Sequence, residues 1–283
     1  MSHHLLESTA RRAIAYLDGL ATRPVAPQPE AIARLDAFDE PLPAGPTPPE
    51  AAVELLDRVG SPATMAMAGP RFFGFVIGGT LPAALAANWL AAAWDQNATL
   101  ANISPATARV ETVALRWLLD LLGLPTGAAG AFVTGGTMAN FTALAAARHT
   151  VLARAGWNVE ADGLTGAPPV TVIVGAEAHP TLFKSLGLLG LGRNRAVRVP
   201  VDGQGRLIAS QLPRIAGPTI VCTQAGNVNS GAVDPVGEVC ARVAGSGAWV
   251  HVDGAFGLWA AAAPGLRHLV AGVETADSWA TDA

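Results

Sequence analysis

The chain has 283 residues, half of them apolar and only 14% charged, enough to fill one large core with an N-terminal appendage. A net charge of −4 with no basic patch excludes nucleic acid as the main partner. The longest apolar run, Leu81 to Trp94, contains Asn88 and is too short to span a bilayer, and Met1 to Arg12 lacks the apolar stretch of a secretory signal.

In chain order, residues 1–20 suit a helix that the proline-rich stretch Pro24 to Pro49 cannot continue. A second helix is expected from Pro49 to about Val59, with proline at its first position. The aromatic, glycine-rich segment Pro70 to Gly79 reads as a loop, and apolar residues recur at helical spacing over 82–97 and 105–122. We expect an N-terminal helical arm with a Pro-rich linker over 1–70 and one large domain over 71–283.

From residue 131 the pattern changes. Short β-branched runs at Ala131–Thr134, Val170–Val174, Ala196–Val199, Thr219–Thr223 and Ala248–Val252 alternate with helical segments. One of these, Met138–Ala155, carries Met138, Phe141, Leu144, Ala145, Val151 and Leu152 on one face. Buried strands alternating with helices imply an α/β fold with a mainly parallel sheet covered on both faces. In such sheets ligands lie beyond the carboxyl ends of the strands, so the residues just after each strand are the candidates for chemistry.

After the first run come Thr134, Gly135, Gly136, Thr137, Met138, Ala139 and Asn140, then a helix. Two glycines let the backbone approach a ligand, and a new helix offers free N–H groups and a positive dipole end. This suits a phosphate, although an ordinary strand–helix turn has the same composition. The segment lacks the Gly-x-Gly-x-x-Gly of a dinucleotide site and the Lys-Ser/Thr of a Walker loop. Alternation puts His251 and Asp253 on one face of their strand. Asp253, followed by the small Gly254 and Ala255, suits a flat ring with a basic nitrogen, as in pyridoxal 5′-phosphate; a turn-capping aspartate and a His-x-Asp metal pair are the competing readings, and no further ligand cluster supports the metal. His179, beyond the strand Val170–Val174, is placed to stack on such a ring, or is an ordinary surface or core histidine. His251 reads as a buried structural partner, His149 and His268 as helix-surface residues, and His3 and His4 as part of a solvated terminus. Cys222 and Cys240 read as core thiols.

Over residues 50–283 the sequence resembles the pyridoxal-phosphate-dependent group II amino-acid decarboxylases. The carriers are Pro70 to Phe75, Ser104-Pro105, Gly135 to Asn140, Ala178 to Lys184, Gly231 to Pro235, Trp249 to Phe256, and Ala276 to Trp279. The resemblance implies the aspartate-aminotransferase fold (fold type I), a homodimer, a small-molecule amino-acid substrate and loss of its α-carboxylate, while the missing signal and spanning segments lead us to expect a soluble, cytoplasmic protein. It implies that Gly135, Gly136 and Thr137 hold the cofactor phosphate, that His179 stacks on one ring face with Ala255 near the other, and that Asp253 pairs with the ring nitrogen; His179 and Asp253 are then the catalytic candidates. Helices over 1–20, 50–59 and 82–97 are candidates to pack across the two-fold. Three departures stand out: Asn227-Val228 where relatives often have Thr-Thr, Gly254 where they usually have Ala, and Asp282 where they often have an Asn near the phosphate. The only lysine is Lys184, upstream of Asp253 and expected on a helix surface, whereas the family's Schiff-base lysine follows Ala-Asp-Ser. The sequence reading is therefore of a chain cut ahead of that lysine and of the small C-terminal domain, with little or no turnover of its own. The alternatives are another fold-type-I enzyme, an aminotransferase or C–S lyase, and a non-catalytic binding protein on the same scaffold.

Overall fold

The computed structural model describes residues 3–98 and 100–282. The chain divides into two compact units, Met1–Gln96 and Asn97–Ala283. In the first, α1 (His3–Gly19), α2 (Pro29–Ala33), α3 (Pro49–Leu55) and α4 (Pro82–Trp94) are joined by turns and irregular segments. Proline opens the last three, where its missing N–H would have no helical partner anyway. The helix expected to reach Val59 is α-helical to Leu55 and continues as a wider π-type turn, Leu56–Gly60. Polar contacts pin this unit: Arg12 to Asp57 at 2.8 Å, Tyr16 to Thr64 at 2.8 Å, and the Arg23 guanidinium 4.6 Å above the Tyr16 ring. None of its four helices contains a fully buried residue, and Trp89, Leu90 and Trp94 of α4 are about half exposed.

The second unit contains α5 (Pro105–Leu121), α6 (Gly136–Arg154), α7 (Val159–Asp162), α8 (Pro180–Leu188) and α9 (Val236–Val243) around a five-stranded sheet. Its strands are β1 (Thr171–Gly175), β2 (Val197–Val199), β3 (Thr219–Gln224), β4 (Trp249–Asp253) and β5 (Ser278–Ala280), in the order β2-β1-β3-β4-β5 with every pairing parallel. The α/β architecture with a parallel sheet is the one expected. Period-two alternation sends Val172, Val174, Ile220 and Cys222 to the face packed against Leu144 and Val151 of α6 and Leu182 and Leu186 of α8. Ile173, Val221, Val250 and Val252 take the opposite face with Val236 and Val239 of α9. Each such side chain contributes about 1.5–3 kcal/mol on burial, so the sheet is a rigid platform for whatever its carboxyl edge presents.

One expected strand is absent. Residues 131–134 lie outside any ladder, with Phe132 and Val133 substantially exposed, and the Phe132 N–H turns instead to the Glu111 carboxylate at 3.5 Å. β-Branched and aromatic composition permits a strand but does not create one without a partner backbone. Conversely, β5 lies outside the five runs that composition marks as strands. β5 has three residues, too few to show alternation, and forms because Asp253 pairs with Ala280 and His251 with Ser278.

Candidate functional site

The carboxyl ends of β1, β3 and β4 converge on a small cavity lined by, among others, Ala178, His179, Gln224, Asp234 and Asp253. The sequence thus brings His179 and Asp253 to one place from positions 74 residues apart. Gly135, Gly136, Thr137 and Ala255 are not among the residues that line this cavity. Gly135 precedes α6 with φ of 93°, a conformation open to glycine, and a side chain there would meet nothing within 4 Å. Its carbonyl accepts from the Met138 and Ala139 N–H groups, leaving those of Gly136 and Thr137 outside the helical ladder. Ser185 of α8 donates to the Thr137 carbonyl at 2.9 Å and so locks the first turn of α6 to the helix that begins after His179.

His179 is the N-cap of α8. Its Nδ1 accepts from the Thr181 N–H at 3.3 Å and lies 2.8 Å from the Thr181 hydroxyl. Asp253, only 7% exposed, accepts from the Asn140 side-chain amide at 3.0 Å and from the Ala255 N–H. Burial pushes its carboxyl upward; the Asn140 and Ala255 bonds and the nearby His179 oppose that shift, and Asp282 adds to it. His251 is fully buried, as its strand position suggests, and burial lowers it to about 4, so it is neutral. It bonds Asn140 through Nε2 at 2.8 Å and Ser278 through Nδ1 at 3.0 Å.

Sequence reasoning missed Asn140, Thr181 and Ser278. All three lie inside motifs already singled out, yet their role depends on partners up to 113 residues away. The departures also find their places. Asn227 closes its own loop: its Oδ1 accepts from the Asn229 and Ser230 N–H groups, and its amide donates to Glu177 at 3.1 Å. Gly254 has no room for a Cβ, which would meet Leu258 at 2.8 Å and the Ala280 carbonyl at 3.2 Å. Asp282 does not point away from the cup: its Oδ1 lies 3.7 Å from where a Gly136 Cβ would stand, and its N–H is tied to the Ala255 carbonyl at 2.9 Å.

Other chemistries find less support. Cys222 is buried and Cys240 half-buried, both unpaired, and burial raises both thiols, which makes them poor nucleophiles. Among the described residues no group of three or more His, Cys, Asp or Glu is placed to hold a metal, and no helix is long and apolar enough to cross a membrane. Lys184 is exposed on α8 and away from the cavity. The donor set therefore fits a flat phosphorylated heterocycle: glycine backbone and a helix N-terminus for the anion, a histidine ring, and a buried carboxylate held by amide donors.

The conserved domain of pyridoxal-dependent decarboxylases matches residues 36–283. Tryptophan decarboxylase 1 of Oryza sativa subsp. japonica is 35% identical over 232 residues, which are 75% of this chain and 44% of that protein. The acidic amino acid decarboxylase GADL1 of Bos taurus is 30% identical over 217 residues, 74% of this chain and 41% of its own length. The chain thus spans less than half the length of these two curated relatives. Among solved structures, the crystal structure of mouse CSAD superposes with a TM-score of 0.87 at 24% identity, over all of this chain and 61% of the other. That of Oryza sativa TDC with PLP and tryptamine gives 0.85 at 27% identity, over all of this chain and 64% of the other.

Proposed function

Because this chain belongs to the pyridoxal-dependent decarboxylase family, we propose that its sheet edge holds pyridoxal 5′-phosphate and serves the removal of the α-carboxylate from an L-amino acid. The observation that carries this reading is the convergence of His179 and the buried Asp253, held by amide donors, on one cavity, with the glycine cup at the start of α6. In this reading Gly135, Gly136 and Thr137 bind the phosphate, His179 covers one face of the ring, Ala255 borders the other, and Asp253 holds a proton on the ring nitrogen. The bound cofactor supplies an electron-poor ring that takes up the electron pair of the breaking bond. The protein's part is to orient: the leaving carboxylate must stand out of the ring plane for its bond to overlap the π system. Asp253 is suited to its task because a buried carboxylate with only neutral donors gains most from a cationic partner.

Lys184, exposed on α8, is not the covalent anchor in this proposal. The exposed apolar side chains of α4, Trp89, Leu90 and Trp94, support a homodimer, since patches of that kind mark association surfaces. Two unpaired thiols support a reducing, cytoplasmic setting.

The test is titration of the chain with pyridoxal 5′-phosphate, followed by absorbance, then incubation of the complete protein with L-amino acids while amine and carbon dioxide are measured. Saturable uptake that pyridoxal without phosphate does not match, with amine and carbon dioxide as products, is the expected outcome. Keto acid in place of amine would make the protein an aminotransferase; absence of saturable uptake would remove the cofactor reading altogether.

A further inference from the structure

Asn140 is 1% exposed and makes hydrogen bonds with three residues. Its amide nitrogen lies 3.0 Å from Asp253 Oδ2 and 3.4 Å from the Thr181 hydroxyl, and its Oδ1 lies 2.8 Å from His251 Nε2. On the far side of His251, Nδ1 lies 3.0 Å from the Ser278 hydroxyl, which accepts the indole N–H of Trp249 at 2.8 Å. These residues come from α6, β4, β5 and the start of α8, and they link the two candidate cofactor-contacting groups, Asp253 and His179, through one amide.

Donor and acceptor chemistry gives this chain a direction. An ionised carboxylate only accepts, so Asn140 must turn its NH₂ to Asp253 and its carbonyl to His251. His251 Nε2 must then carry the proton, which leaves Nδ1 as an acceptor. The indole of Trp249 can only donate, so Ser278 takes that bond and gives its own proton to Nδ1. At the other end the second Asn140 N–H goes to Thr181, freeing the Thr181 hydroxyl to donate to His179 Nδ1, where the Thr181 backbone N–H also arrives. A reversed chain needs a proton on Asp253 and would make Ser278 accept from both Trp249 and His251.

We infer that Asn140 is a positioning residue that locks His251 as the Nε2–H tautomer and, through the same amide, favours the ionised form of Asp253 that a cationic ring nitrogen needs. The tautomer of His251 therefore reports the charge of Asp253 across an intervening side chain. Burial, which keeps His251 neutral, leaves tautomer choice as its one degree of freedom. The inference rests on the proposed cofactor site for its purpose, but the bonding pattern exists without ligand.

The experiment is ¹⁵N NMR of the imidazoles in the ligand-free chain near neutral pH, for the wild type, Asn140→Ala and Ser278→Ala. The expected result is an Nε2–H pattern for His251 in the wild type, retained in Ser278→Ala and lost in Asn140→Ala, because the direction is set from the Asp253 end. An Nδ1–H or charged His251 in the wild type overturns it, as does a switch in Ser278→Ala alone. If Asn140→Ala fails to fold, the wild-type and Ser278→Ala spectra still decide. A second arm adds ring-¹⁵N-labelled pyridoxal 5′-phosphate: a protonated ring nitrogen in the wild type that loses its proton in Asn140→Ala extends the result to the cofactor. Absence of any bound cofactor would count against the proposed function, while the histidine spectra would judge the positioning role by themselves.

Discussion

Asp234 and Asp253 are equally buried, each 7% exposed, both border the same cavity, and they are held differently. Each oxygen of Asp234 carries a backbone N–H, that of Leu207 at 2.7 Å and that of Gln224 at 2.8 Å. It fastens the segment after β2 to the end of β3. Asp253 takes one backbone N–H, that of Ala255, and is otherwise gripped by a side-chain amide that is itself gripped by a histidine. Burial alone does not separate a structural acid from a working one; the kind of partner does. Backbone donors fasten a carboxylate to the fold, whereas a side-chain donor backed by further side chains leaves it lone pairs and an aim.

The largest effect should come from exchanging the two roles by mutation. Asp253→Asn is expected to weaken pyridoxal 5′-phosphate uptake by roughly tenfold to a hundredfold, the worth of one charge-assisted bond. Asp234→Asn should leave affinity intact and cost about 1–3 kcal/mol of stability, because an NH₂ would then face a backbone N–H. Binding titrations and urea melts on the two variants check this; the comparison breaks if Asp234→Asn loses affinity as Asp253→Asn does.

A smaller effect separates the clusters by pH. His251 is depressed from 6.5 to about 4, so its contribution is fully present above 6.5 and is lost as pH falls toward 4. Asp234 is raised from 3.8 to about 6, so its contribution is present below 3.8 and is lost as pH rises toward 6. Each shift is worth about 3 kcal/mol, and they oppose one another. Asp253, also raised, adds to the Asp234 side. His251→Asn should therefore make stability fall more steeply as pH rises between 4 and 6, and Asp234→Asn should tilt the slope the other way. Denaturant midpoints across that range measure the tilt; unchanged slopes would mean that neither group titrates with folding.

The smallest effect concerns Asp282, whose carboxylate stands at the cup. Asp282→Asn should tighten cofactor binding about threefold to fivefold, as expected for an exposed like-charge contact of up to about 1 kcal/mol, and the gain should shrink with added salt. A loss of affinity would instead make the carboxylate a hydrogen-bond partner of the phosphate.

Much of this was legible in the sequence. Four of the five expected strands form where their β-branched runs stand, and His179 and Asp253 lie at strand ends on one cavity because a parallel sheet gathers such ends. What stayed hidden depends on partners remote in the chain. Residues 131–134 have strand composition but no ladder, while Ser278–Ala280 has a ladder but no recognisable pattern. Asn140 sits on the buried side of α6, where an apolar residue would have fitted the periodicity as well; only the approach of His251 and Asp253 reveals its work.

The solitary lysine gives the molecule an unusual handle. Endoproteinase Lys-C has one side chain to recognise, Lys184, exposed on α8, so a single cut would divide the chain into 1–184 and 185–283. The bond it must reach is followed by Ser185, which is fully buried and tethered to the Thr137 and Thr181 carbonyls. Cleavage must wait for α8 to open. The rate at which two fragments accumulate would then clock the fluctuations of the helix that begins at His179, and a ligand gripping the cup and that histidine together would slow the clock in proportion to its occupancy.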